Sequence, residues 1–303
     1  HTKIDDFTID FERKIEGNFG ERGKQWLSVL ATRVEHYLMK WQLQSEGPVE
    51  YLSYNYVLKV RDKEHTPLIL KIGVPGESFT NEIRATKLYK GAQFARLLKY
   101  DERDGVMLLE HLVPGYMLSK VKSEKQAIQH YIDIWKALRR PVTPSFPSIK
   151  DWFNELQVYL DKYPKGNTCI PHTLIKNAQC YAQEIFETST GEELLHGDLH
   201  HYNILYDERH GWCAIDPKGV IGDSYFDCVA FLFNELHTKE QPQSLLKWRI
   251  DTLCTALQFD KPRLIKAGIA LLTLQTCWAI EDSDNVSHML QTVYWLIDLQ
   301  HKV

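Results

Sequence analysis

Apolar residues at Trp26, Leu27, Leu30, Val34, Tyr37, Leu38 and Trp41 fall at offsets of 0, 1, 4, 8, 11, 12 and 15. This is the 3.6-residue period of an amphipathic helix, predicted over residues 24–43 and ended by Gly47-Pro48. Aromatic and β-branched residues then take over. Residues 49–52 and 56–60 flank the polar break Ser53-Tyr54-Asn55 and read as a hairpin. A strand is expected at 68–72, helical spacing returns at 81–89 through Ile83, Ala85 and Leu88, and a second hairpin joins 97–100 to 106–110 through Asp104-Gly105. Beyond residue 113 the texture becomes helical. Helices are predicted over 123–139, 151–162, 174–188, 226–237, 243–258, 262–281 and 286–301, with one short β-like island at 194–215. Pro141, Pro144 and Pro147 separate the first two. A sheet-rich small part followed by a helical large part predicts an α+β bilobal protein.

Composition narrows the function classes. The 303 residues are 44% hydrophobic and 25% charged, which excludes a disordered or low-complexity chain. With 36 basic against 40 acidic residues there is no basic excess for nonspecific nucleic-acid binding. The longest apolar stretch, residues 267–274, falls far below the roughly 20 residues a membrane span needs. Six cysteines, none forming a C-x-x-C pair, and no basic-then-apolar pattern in the first residues predict reduced thiols and a cytoplasmic location. No pattern specifies an oligomeric state.

The chemistry concentrates in one segment, Leu195-His196-Gly197-Asp198-Leu199-His200-His201-Tyr202-Asn203-Ile204-Leu205, followed by Ile215-Asp216-Pro217-Lys218-Gly219. Asp198 and Asn203 are five residues apart, and the turn at His210-Gly211 would return Asp216 beside Asn203. An amide and a carboxylate that converge in this way offer hard oxygen ligands of the kind Mg²⁺ takes together with substrate phosphates. The remaining carboxylate could accept the proton of an attacking hydroxyl. The competing reading for the three is a structural turn cluster. His196, His200 and His201 raise the question of a zinc site, but no glutamate base stands at helical spacing and no helix is expected here, so a buttressing histidine is the better reading.

The order H-G-D-L-x-x-x-N-I-L at 196–205, with I-D at 215–216, resembles the protein-kinase-like phosphotransferases of small molecules. The longer run at 215–223, with Tyr225 and Asp227 after it, is similar more specifically to the aminoglycoside/hydroxyurea antibiotic resistance kinase family, in which streptomycin phosphotransferases belong. The resemblance implies a kinase-like fold, with a nucleotide-binding lobe at 1–112 and a catalytic and substrate-binding lobe at 113–303. It implies ATP and Mg²⁺ as cofactors and a small-molecule acceptor, with neither nucleic acid nor membrane as partner. Asp198 would be the catalytic base, Asn203 and Asp216 the magnesium ligands, and Lys71 the phosphate-binding lysine held by Glu82, for which Glu77 competes. Glu110, His111 and Leu112 would form the hinge that meets adenine. No glycine-rich loop precedes Lys71. Ser53 begins the turn that takes its place, as in small-molecule kinases that lack the glycine-rich form.

The acceptor is expected to be small and cationic or polyhydroxylated, a streptomycin-like aminoglycoside first. A metabolite kinase is the alternative, and a pseudokinase is disfavoured because Asp198, Asn203 and Asp216 are all present. Trp278 precedes the acidic run containing Glu281 and Asp282, which could wall a cationic acceptor or simply end a solvated helix. Asp227 is a further substrate candidate, with a helix-capping role competing. Lys218 is open to substrate, phosphate or solvent.

Overall fold

Thr8 starts the fold. Its side-chain oxygen accepts the Phe11 N–H at 3.2 Å and caps α1 (Ile9–Phe19). The computed structural model describes residues 7–50, 52–165, 169–280 and 286–302. Gly20, at φ +59°, turns the chain into α2 (Glu21–Lys40), the helix expected from the apolar period. The two helices meet closely: a Cβ on Gly23 would stand 2.6 Å from the Ile15 carbonyl oxygen. Helix α1 was not expected, because it buries only Phe11 and Ile15 among charged neighbours.

The strands β1 (Gln44–Pro48), β2 (Tyr56–Arg61), β3 (Pro67–Ile72), β4 (Leu97–Asp101) and β5 (Val106–Glu110) form one sheet, with α3 (Glu77–Leu88) between β3 and β4. The order is β1-β2-β3-β5-β4, antiparallel throughout. The first strand is not the expected 49–52. It is 44–48 and includes the Gly47-Pro48 pair read as a break. An edge strand tolerates the missing proline N–H, and Gly47 at φ +98° follows a register shift after Ser45. Alternation then divides the sheet's faces. Leu68, Leu70 and Ile72 pack with Phe11, Trp26, Leu30, Val34 and Tyr37 of the two helices. Lys71 belongs to the opposite face with its partner Met107, which clusters with Phe79 and Ile83 of α3.

The chain divides into two compact units, His1–Gly115 with Asp207–Arg209, and Tyr116–Tyr206 with His210–Val303. After β6 (Pro114–Met117), the second unit contains α4 (Glu124–Ala137), β7 (Arg140–Pro141), α5 (Ile149–Lys162) and α6 (His172–Thr188). Ser148 and Asp151 close a reciprocal capping box on α5. Then come β8 (Glu192–Leu195), β9 (Ile204–Asp207), β10 (Gly211–Ala214) and β11 (Val220–Asp223). The expected hairpin, β9–β10, is thus part of one three-stranded sheet, β10-β9-β6, while β8 of the same β-like island belongs to a second, β11-β8-β7.

The expected helix over 226–237 is reduced to a 3₁₀ turn at Ser224–Cys228 and α7 (Val229–Phe233). The reason is Arg249, fully buried on α8 (Pro242–Leu257), which donates to the carbonyls of Phe231, Leu232, Asn234 and Glu235. A continuing helix would need those acceptors for itself. Burial pushes the guanidinium down to about 10, against the opposing charge of Glu124. The unit is completed by α9 (Lys261–Ala279) and α10 (Val286–His301). Helix α9 buries residues on every side, from Leu264 through Cys277, which accounts for the long apolar stretch in the sequence. Among the described residues no helix is long and apolar enough to cross a membrane.

Candidate active site

In the first unit the side chain of Lys71 is almost fully buried and forms an ion pair with Glu82 of α3. Sheet alternation aims the lysine at α3, and Glu82 adjoins the Ile83 that packs there, so the pair follows from both periodicities. Glu77 instead lies exposed in the first turn of α3. Ser53 sits exposed in the bend between β1 and β2. At the end of β5, Glu110 Oε1 accepts the Arg96 N–H at 2.8 Å, and Leu112 is buried. Burial lowers the His111 pKa, with the charge of Lys59 acting the same way against that of Glu46, which favours the neutral ring.

In the second unit β8 delivers the chain into a loop braced from below. His196 is fully buried; its Nε2 lies 2.7 Å from the Ile215 carbonyl and its Nδ1 3.1 Å from the Asp198 amide nitrogen. An amide can only donate, so Nδ1 accepts and Nε2 carries the proton. Burial lowers the pKa of this ring, in keeping with a neutral, fixed tautomer. His196 is the buttress that the sequence suggested.

Asn203 ends a 3₁₀ turn (His201–Asn203), and its Nδ2 donates to the Asp198 carbonyl at 2.9 Å and to Asp198 Oδ2 at 3.4 Å. With the amide group's donors spent on Asp198, its oxygen is the end left for a cation. The Ile215 N–H donates to the Asn203 carbonyl at 2.9 Å, which brings the next residue, Asp216, alongside. Asp216 is exposed and held at φ +56°, a left-handed conformation in which aspartate is among the few side chains tolerated. His200 Nδ1 accepts the Tyr202 N–H, so its Nε2–H faces Asp198 Oδ2 at 3.6 Å. Burial raises the Asp198 pKa, but His200, Lys218 and His196 together outweigh it and hold the carboxyl below its ordinary range. The group is therefore an ionised carboxylate at neutral pH.

Asp227 has a different place from the substrate contact expected of it. It is buried, with Oδ2 accepting from the His196 N–H and from Arg139, and Oδ1 from the Gly197 N–H. It anchors the loop that carries Asp198. Glu281 and Asp282 lie outside the described residues. Trp278, which precedes them, is 43% exposed and meets Trp152 edge to face at 5.7 Å.

The profile of the aminoglycoside/hydroxyurea antibiotic resistance kinases matches residues 40–283. The chain belongs to that family. Streptomycin 6-kinase of Streptomyces griseus is 27% identical over 87% of each chain. Hydroxyurea phosphotransferase of Kitasatospora aureofaciens is 28% identical over 88% of this chain and 77% of its own. Among solved structures, an aminoglycoside phosphotransferase in ternary complex with ADP and hygromycin B superposes with a TM-score of 0.62 at 12% identity, over 88% of this chain and 97% of that one. The fold is accordingly α+β and protein-kinase-like, and the chain is a small-molecule kinase.

Sequence reasoning missed two features of this resistance-kinase loop. Arg139, from the end of α4, bridges Glu193 and Asp227, and nothing in its local sequence marks it. Gly197, at φ +88°, is pinned between other residues: a Cβ there would stand 2.9 Å from Lys218 Cβ and 3.0 Å from Trp152 Cη2. Gly197→Ala should therefore cost about 1–3 kcal/mol of stability through backbone strain alone. It should also displace Asp198 and reduce kcat by at least about tenfold, by the sensitivity of catalysis to ångström misplacement. Melting temperature and kcat measured on the same preparation check both, and an alanine enzyme with wild-type values would show that the loop has room to spare.

Proposed function

We propose that this kinase transfers the γ-phosphate of ATP to a hydroxyl of a small, cationic or polyhydroxylated acceptor, with a streptomycin-like aminoglycoside as the first candidate. The observation that carries the reading is the Asp198–Asn203–Asp216 arrangement: an ionised carboxylate and, hydrogen-bonded to it, an amide whose backbone partner, Ile215, leads directly to a second carboxylate. In this reading Asp198 orients the acceptor hydroxyl and takes its proton as the oxygen attacks phosphorus. Lys71, kept in place by Glu82, draws the nucleotide phosphates, and the backbone of residues 110–112 meets the adenine.

The donor set suits Mg²⁺. Among the described residues no group of three or more His, Cys, Asp or Glu side chains converges on a metal site. Asn203 and Asp216 would hold the ion together with substrate phosphate oxygens, the donor types Mg²⁺ takes at phosphoryl-transfer sites. When bound it neutralises charge on the phosphate oxygens. Cytoplasmic action belongs to the same proposal, since ATP is its donor.

The test is ADP release with ATP and Mg²⁺ across streptomycin, other aminoglycosides, hydroxyurea and choline-like amino alcohols. Streptomycin-dependent turnover is the expected result. Turnover with hydroxyurea alone would move the acceptor to that class, a reading favoured by the likeness to the hydroxyurea enzyme, and turnover with an amino alcohol alone would move it to a metabolite. An enzyme that does not bind ATP would overturn the proposal.

A further inference from the structure

Lys218 follows Asp216 by two residues and is tied to the loop that carries Asp198. Its backbone N–H donates to the His196 carbonyl at 2.6 Å, and the Gly219 N–H reaches the same oxygen at 3.3 Å. Its aliphatic stem lies along Gly197, where a Cβ would come within 2.9 Å of Lys218 Cβ and 3.4 Å of its Cγ. Gly197 is the residue before the base, so its lack of a side chain is what lets the lysine run there.

The far end of the side chain is exposed, and no carboxylate of the described residues forms an ion pair with its ammonium. The stem's place along Gly197 nevertheless keeps this cationic side chain one residue from Asp198. A cation beside a general base makes that base weaker. The arrangement becomes productive if a third, anionic group enters between them. Phosphoryl transfer brings such a group, with charge spread over three equatorial oxygens in the transition state. The turn before Lys71 reads Ser53-Tyr54-Asn55, without the glycines whose amides cover phosphates in other kinases.

We propose that Lys218 is a catalytic residue whose ammonium meets the oxygens of the γ-phosphoryl group during transfer. This rests on the kinase reading above. In the step, the acceptor oxygen forms its bond to the γ-phosphorus and the bond from that phosphorus to the β–γ bridging oxygen breaks. ADP departs with that electron pair, and the acceptor's proton passes to Asp198. Lys218 forms no bond; it stabilises charge on the oxygens that neither attack nor leave. A cationic acceptor would be repelled by the same ammonium, which places Lys218 on the phosphate side of the reaction.

The experiment compares wild type, Lys218→Met and Lys218→Arg. Methionine keeps the stem that packs on Gly197 and removes only the charge. Binding of Mg·ADP and of Mg·AMP-PNP is measured by calorimetry without acceptor, and kcat and acceptor KM are measured with the acceptor found in the turnover assay. For Lys218→Met the expected result is a kcat about 10²-fold lower, the loss typical of removing one electrostatic stabiliser. AMP-PNP affinity should fall while ADP affinity and acceptor KM hold, and arginine should restore part of the rate. A kcat within threefold of wild type overturns the proposal. So does an equal loss of ADP and AMP-PNP affinity, or a raised acceptor KM at unchanged kcat. If the wild-type protein binds neither nucleotide, the kinase reading itself fails, an outcome separate from these.

Discussion

Asp198→Asn should leave the fold and nucleotide binding in place and lower phosphoryl transfer by roughly 10²–10⁴-fold, the range that a positioned general base contributes. The side chain is held on one side only. Oδ2 receives the Asn203 amide at 3.4 Å and faces His200 Nε2 at 3.6 Å. Those donors fix the carboxylate plane and leave the other oxygen to take a proton. Asparagine preserves shape and the bond from Asn203 when its oxygen takes the Oδ2 position, but it offers no basic oxygen to the hydroxyl. The check is kcat together with Mg·ADP affinity and melting temperature. A rate within tenfold of wild type, with the other two unchanged, would remove Asp198 as the base.

What could be read in advance follows from how local each interaction is. The run from β3 through β5 was legible because alternation, helical spacing and the Asp104-Gly105 turn each act within a few residues. Lys71 and Glu82 share that segment, but their pairing was expected from the family resemblance and not from the local pattern, which left Glu77 as a competitor. Where a distant residue decides, the local pattern misleads. The apolar spacing over 226–237 is helical, yet Arg249 takes the carbonyls that would extend α7. Helix α1 buries two residues against a core assembled mostly from later segments, so its own period is faint.

The same division runs through the site. Asp198, Asn203 and Asp216 stand at spacings that one loop and one hairpin require, and the chain brings them together as the spacing suggested. The role of Asp227 was invisible because two of its partners are backbone amides 31 and 30 residues away, which no side-chain pattern encodes. Trp278 was legible as an indole at a helix end; its exposure and its edge-to-face contact with Trp152 of α5, far earlier in the chain, were not.

Asp227→Asn should be among the most damaging single changes in the second unit. The carboxylate is 1% exposed and accepts three hydrogen bonds, from the His196 and Gly197 amides at 2.9 Å each and from Arg139 at 3.1 Å. An asparagine must turn its NH₂ toward at least one of these donors, which loses that bond and sets two donors against each other. The change also leaves Arg139 without its buried partner, which typically costs about 3–5 kcal/mol when the pair is well buried. Arg139 is itself 19% exposed and keeps Glu193, so the lower end of that range applies. The melting temperature should drop by roughly 10 °C. Catalysis should fall as well, because the same amides set the path of the chain into Asp198. Arg139→Met keeps both loop amides on their acceptor but leaves the buried Asp227 carboxylate without that cation, so its loss of stability should be comparable and its loss of kcat smaller. The ranking separates two roles for Asp227. A loop anchor loses stability and kcat together, with kcat lower in Asp227→Asn than in Arg139→Met. A substrate contact would instead give a raised acceptor KM at an unchanged melting temperature, and that result would return Asp227 to the acceptor site.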